Sequence, residues 1–194
     1  MTRNEIKRKL KAKLKPKLFN HSIATGEMAE NLAKLYQGDI EKAYLAGILH
    51  DLAKGMDKNE LLVYAKSRRI MIDPIKQKQP GLLHGNVAGY MAKNEFDIND
   101  DEIIHAIEVH TTGSADMSLL DKILYLADCS EPNRDYEGVE MIRDLMFHGE
   151  LDRALLEAMR IKIKCVIDKN IMIHHDSVEA WNEITKILAL DKFS

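Results

Sequence analysis

At several points along this chain a short polar residue precedes an acidic one by three positions, just ahead of an apolar run of helical period; four of them stand out. The four are Asp57-Lys-Asn-Glu60, Asn99-Asp-Asp-Glu102, Ser118-Leu-Leu-Asp121 and Asp176-Ser-Val-Glu179. In such a capping box the first side chain accepts from backbone N–H groups that the helix cannot satisfy itself. Each therefore marks a helix start, and the chain must fold around several of them. The spacing predicts helices over 17–36, 40–53, 57–69, 82–94, 99–110, 118–128, 137–148, 150–170 and 177–190. Gly38 reads as a stop and Asp39 as the next cap, while Pro74 and Pro80 bracket a loop. The sequence has no convincing alternating strand, hairpin turn or internal repeat. The expected fold class is all-α.

At 194 residues the chain suits one domain with at most a modest extension. Hydrophobic content of 45% with 30% charged residues is that of a globular protein, and four prolines with ten glycines argue against disorder. No apolar run approaches the roughly 20 residues that span a bilayer. The charged start, Met-Thr-Arg-Asn-Glu-Ile-Lys, is not expected to be a signal peptide. Cys129 and Cys165 make no disulfide framework and fit a reducing, cytoplasmic setting. A net charge of -3 gives no reason to expect nucleic-acid binding. Basic residues crowd positions 3–17, where Ile6, Leu10 and Leu14 form a narrow apolar stripe. That pattern predicts a basic N-terminal helix, residues 1–16, docked by its stripe, rather than one reserved for a phosphate-rich partner.

The chemistry-bearing residues fall on those helices. His50-Asp51 ends the run Ala43-Tyr-Leu-Ala-Gly-Ile-Leu-His-Asp51, with His21 upstream and His84, His110 and Asp128 downstream. His21 shares a stripe with Met28, Leu32 and Leu35, and His84 with Val87, Ala88 and Met91. His110 aligns with Ile103, Ala106 and Ile107, and Asp128 with Asp121 and Leu124. Ala43, Ala46 and Gly47 beside His50 leave room for something bulky. One histidine on an apolar face is usually a hydrogen-bonded core residue. Four of them with two carboxylates in apolar surroundings point instead to metal, because buried carboxylates need cationic partners. His105, His148 and the pair His174-His175 are expected at the surface. Trp181 with Ile184, Ile187 and Leu188 reads as core packing or a dimer face, and Cys129 projects away from Asp128.

The ordered pattern His21 … His50-Asp51 … Asp128 resembles the HD-domain metallohydrolases. Within that group several strings are similar to the symmetrical bis(5'-nucleosyl)-tetraphosphatase family. They are His50-Asp-Leu-Ala-Lys54, Leu83-His-Gly-Asn-Val-Ala-Gly-Tyr90, His110-Thr-Thr-Gly113 and Leu120-Asp-Lys-Ile-Leu-Tyr-Leu-Ala-Asp128-Cys-Ser-Glu-Pro-Asn-Arg134. The resemblance implies an HD-domain helical bundle, here residues 17–194. It also implies two divalent metal ions, commonly iron, with manganese or cobalt as alternatives. The activity it implies is hydrolysis of diadenosine tetraphosphate into two ADP. The chain departs from the pattern at Leu18 and Ser114, where members often carry arginine.

On that basis His21, His50 and Asp128 are expected to hold one ion and His84 and His110 the other. Asp51 would bridge them, since a carboxylate can give one oxygen to each. The ion pair would generate a bridging hydroxide and screen the polyphosphate. Lys54, one helical turn beyond His50, is expected to contact a phosphate oxygen or that hydroxide. Arg134 offers a planar fork for phosphate, and Asn86, Thr111 and Thr112 are weaker substrate contacts. Another nucleotide phosphohydrolase, or a catalytically silent nucleotide- or metal-sensing module, are the competing readings. A homodimer is possible, and no membrane partner is expected.

Overall fold

The computed structural model describes residues 1–190, so the last four residues of the domain expected over 17–194 lie outside the described residues. Among the described residues eleven α-helices account for most of the chain, and no strand occurs. They are α1 (Arg3–Lys13), α2 (Pro16–Leu35), α3 (Ile40–Leu49), α4 (Lys58–Ser67), α5 (Pro74–Lys78), α6 (Leu83–Phe96), α7 (Asp101–Val109), α8 (Leu119–Ser130), α9 (Val139–Phe147), α10 (Leu151–Asp168) and α11 (His175–Leu190). The cap signals account for several of these starts. Asp57 with Glu60 and Ser118 with Asp121 form reciprocal capping boxes. Asp39 caps α3 through the Lys42 N–H. A further box, Thr2 with Glu5, opens α1.

Elsewhere the structure corrects the expectation. The cap of α7 is Asp100, not Asn99. The loop expected between Pro74 and Pro80 contains the short helix α5, capped by Asp73, and a 3-10 turn over Pro80–Leu82. The helix expected to run to residue 53 stops at Leu49, and the chain turns through 50–55. α11 begins at His175, so Asp176 lies inside its first turn. The residue ahead of it, His174, accepts the Asp176 N–H on its Nδ1. His174 is buried, not exposed, because its Nε2–H donates to Asp73 at 3.0 Å. With both ring nitrogens committed, it has no lone pair left for a metal, although Asp73 and His175 lie close by. His105, His148 and His175 are at the surface.

Two apolar cores lie side by side. One gathers Ile6 and Leu10 of α1 with the inner faces of α3, α4, α6 and α7. The other gathers α2, α8, α9, α10 and α11, with Trp181 part-buried against it. The stripe on α1 thus docks as expected, with Arg3 stacked on the Tyr44 ring at 3.9 Å and paired to Glu30 and Glu41.

Glycines decide how closely the helices at the junction of the two cores approach. At Gly47 an added Cβ would meet Gly26 Cα at 2.6 Å and Gly26 N at 2.9 Å. At Gly26 one would meet Ile48 at 2.3 Å. α2 and α3 therefore cross backbone against backbone. The room expected beside Ala43 and Gly47 is taken by α2 itself. At Gly85 a Cβ would lie 2.9 Å from the Glu108 carbonyl and 3.0 Å from that of Ile107, so α6 and α7 meet in the same way. Each crossing brings one helix's histidine to the other's.

Candidate metal centre

His21 on α2 and His50 at the end of α3 face each other, Nε2 to Nε2, at 3.2 Å. His84 on α6 and His110 at the end of α7 do so at 3.0 Å. Asp51 lies between the two pairs. Its Oδ2 is 3.4 Å from His50 Nε2 and 3.6 Å from His21 Nε2. Its Oδ1 is 3.3 Å from His84 Nε2 and 3.7 Å from His110 Nε2. Asp128 of α8 closes the His21 side, with Oδ1 at 3.2 Å from His21 and 3.6 Å from His50. All six ligand candidates read from the sequence converge here.

Local structure fixes how each ring is turned. His50 Nδ1–H donates to the Gly47 carbonyl at 2.7 Å, and His110 Nδ1–H to that of Ile107 at 2.7 Å. Both carbonyls lie in a helix's last turn, where no further backbone N–H reaches them. His84 Nδ1–H donates to Gly81 at 2.6 Å. His21 Nδ1–H has Glu131 Oε1 at 3.2 Å. With Nδ1 held by these partners, each ring turns its Nε2 inward. That is the orientation a metal-ligating imidazole needs.

Charge points the same way. Burial disfavours ionisation of Asp51, yet His50, His84 and Lys54 hold its pKa well below the usual carboxylate range. Asp128 is lowered likewise, with His21, His50 and Lys162 overcoming burial. Burial disfavours the charged form of His50 too, but Asp51 and Asp128 prevail and raise its pKa to about 10. Burial, then His84 and His50, depresses that of His110. Two ionised, desolvated carboxylates ringed by imidazoles draw cations strongly. Asp51 Oδ1 is buried without a hydrogen-bond partner among the described residues. Converging ring nitrogens, that orphaned oxygen and a mixed N/O donor set fit divalent metal.

The expected substrate residues divide. Lys54 reaches the centre through the turn after α3, not by a helical turn, with Nζ at 3.1 Å from His84 Nε2 and 3.6 Å from Asp51 Oδ1. Thr111 Oγ1 lies 3.1 Å from His110 Nε2 and 3.3 Å from His84 Nε2. Arg134 donates from Nε to the Asp128 carbonyl at 2.8 Å and from a terminal nitrogen to Asp128 Oδ1 at 2.7 Å. Thr112 donates to the Gly113 carbonyl and lines a cleft beside the centre. Asn86 makes no hydrogen bond to the centre among the described residues, and its side-chain oxygen is buried unpartnered.

Glu131 was not singled out from the sequence. It is buried, orients His21, and also accepts from the Asn133 N–H and side chain. Arg143 ties that connector down by donating to the carbonyls of Ser130, Glu131 and Arg134. The acidic residue in Glu131-Pro-Asn-Arg134 was the available signal.

A helical domain that turns imidazoles and carboxylates inward around a central His-Asp pair is the architecture of a metal-binding HD protein. The family model described as HD domain matches residues 18–133, and the chain belongs to that family. It is 34% identical over 183 residues to the symmetrical bis(5'-nucleosyl)-tetraphosphatase of Staphylococcus aureus, covering 94% of each chain. To the protein of the same name from Halalkalibacterium halodurans it is 36% identical, covering 95% of this chain and 97% of that one. A crystal structure described as a predicted HD superfamily hydrolase involved in NAD metabolism, from Clostridium acetobutylicum, superposes with a TM-score of 0.91 at 35% identity. It covers 96% of this chain and 98% of that one.

Proposed function

We propose that the chain hydrolyses diadenosine tetraphosphate, and related dinucleoside polyphosphates, symmetrically to two nucleoside diphosphates at the His/Asp centre. The near full-length likeness to relatives of that name supports the substrate. The observation that carries the chemistry is the division of Asp51, one oxygen toward each histidine pair.

His21, His50 and Asp128 would hold one divalent ion, His84 and His110 a second, with Asp51 shared between them. An ion pair of this kind lowers the pKa of water and screens phosphate charge. The protein's own groups do the rest. The Nδ1 hydrogen bonds keep the four rings from turning as the charge in the site changes. Lys54, beside Asp51 and His84, stands where it can donate to a phosphate oxygen on one side of the centre. Arg134 stands on the other side; Asp128 takes two of its nitrogens, which leaves one for phosphate. Thr111 offers a hydroxyl between them. Cations on both sides of the nucleophile favour attack at an inner phosphorus, with ADP as the leaving group.

We further propose iron as the metal, with manganese or cobalt as substitutes, as the resemblance to the HD-domain metallohydrolases implies; mixed imidazole and carboxylate donors suit each of these ions. Two free cysteines support a cytoplasmic setting. Exposed Ile167 and Val178 near Trp181 support a homodimer. No helix among the described residues is long and apolar enough to cross a membrane.

Product analysis tests the reading: the metal-loaded protein, given diadenosine tetraphosphate, releases ADP alone. Turnover of mononucleotides with no action on the dinucleotide would assign it to the nucleotidases instead.

A further inference from the structure

One cation at the centre is not accounted for by any motif. Lys162, on α10, points its Nζ to 3.8 Å from Asp128 Oδ2. That is the oxygen opposite the one Arg134 and His21 engage. The ammonium also sits 3.8 Å from the centroid of the Tyr125 ring, a buried aromatic on α8. Its side chain is 31% exposed, so it is neither sealed in nor free in solvent. The ion pair is longer than a hydrogen bond, so the ammonium is placed but not fully engaged.

What it faces is a cleft of about 260 Å3 between the turn before α6 and the far part of α10. Leu82, Met159, Ile163, Val166 and Ile173 give it apolar walls, and Gln79 a polar edge. Thr111 and Lys162 line the cleft and also touch the His/Asp centre. They mark where the two spaces join. Clefts that enclose drug-sized ligands run from roughly 300 to 1,000 Å3. This one is just below that range, and suits one nucleoside but not two.

We propose that the cleft encloses one nucleoside of the dinucleotide and that Lys162 holds the phosphate linking it to the cleavage site. This rests on the proposed hydrolysis. With Asp128 engaged by metal, its negative charge is shared, and Lys162 is left to pair with a phosphate oxygen while the Tyr125 face supports the cation. Lys54, Arg134 and Lys162 then surround the polyphosphate from three sides. Lys162 positions the substrate and leaves the metals in place.

The test uses Lys162→Gln and Lys162→Arg in the metal-loaded protein, with ADP as the probe. Calorimetry should show ADP affinity falling about 10- to 100-fold in Lys162→Gln, the loss expected for one charge-assisted hydrogen bond. Lys162→Arg should recover part of it. Metal content and melting temperature should match wild type, and KM for diadenosine tetraphosphate should rise by more than kcat falls. Wild-type ADP affinity in Lys162→Gln with full metal content would overturn the proposal. So would an affinity loss fully explained by lost metal, which makes Lys162 a support for Asp128. Should wild type bind ADP yet leave the dinucleotide intact, the hydrolysis reading fails, and the ADP comparison still decides the role of Lys162.

Discussion

Each of His21, His50, His84 and His110 uses Nδ1 to hold its place and turns Nε2 toward Asp51. The consequence at this scale is that ligands differ in how many ions they control. Asp51→Ala removes the shared carboxylate and should abolish binding of both ions. His84→Ala should lower occupancy of one. Elemental analysis after anaerobic metal loading measures both, and equal losses in the two variants would contradict the shared role. Glu131→Gln keeps the shape of the group that orients His21 but removes its charge. Outer partners of this kind are worth about 10- to 100-fold in metal affinity. A chelator competition should show a loss of that size. The six inner residues were legible because histidines on apolar faces are few and need a reason. Glu131 was not, because its partner lies 110 positions away. Lys162 looked like any lysine on an amphipathic helix.

Among the elements, the α2–α3 and α6–α7 crossings do most to set the site. Gly47→Ala would drive a methyl into the Gly26 backbone, which cannot give as a side chain can. Overpacking of this kind costs about 1–3 kcal/mol. It should also separate His21 from His50, so thermal stability and metal affinity should fall together. Among the described residues nothing lies within 4 Å of a Cβ added at Gly55, so Gly55→Ala should leave both unchanged. Equal melting temperatures for the two variants would show that the crossing tolerates more space than its geometry allows. Helix starts were readable at Asp57 and Ser118 because a cap acts over three residues of one segment. The start of α11 was misread because it is set by His174, which Asp73 anchors from 101 positions away. The end of α3 was missed because His50 terminates it by bonding back to Gly47, which no glycine or proline signals.

In the whole molecule, the cores meet at the centre, and the Asp73–His174 pair ties the α5 segment to the start of α11 beyond it. Burial disfavours the Asp73 carboxylate, but the Lys76 N–H and His174 outweigh it and lower its pKa. A carboxyl lowered on folding stabilises the fold above its unfolded pKa of about 3.9, and that contribution disappears as pH falls through the folded value. Asp73→Asn should therefore melt below wild type at pH 7, and the gap should narrow as pH drops below about 4. A gap that is constant across that range would remove the pair from the stability account. The central claim concerns where water attacks, and hydrolysis in water enriched in oxygen-18 reads that directly. The metal-loaded protein should convert diadenosine tetraphosphate to two ADP. One of each pair should carry a single label, on its terminal phosphate. AMP with ATP, or label on a phosphate next to ribose, would contradict it.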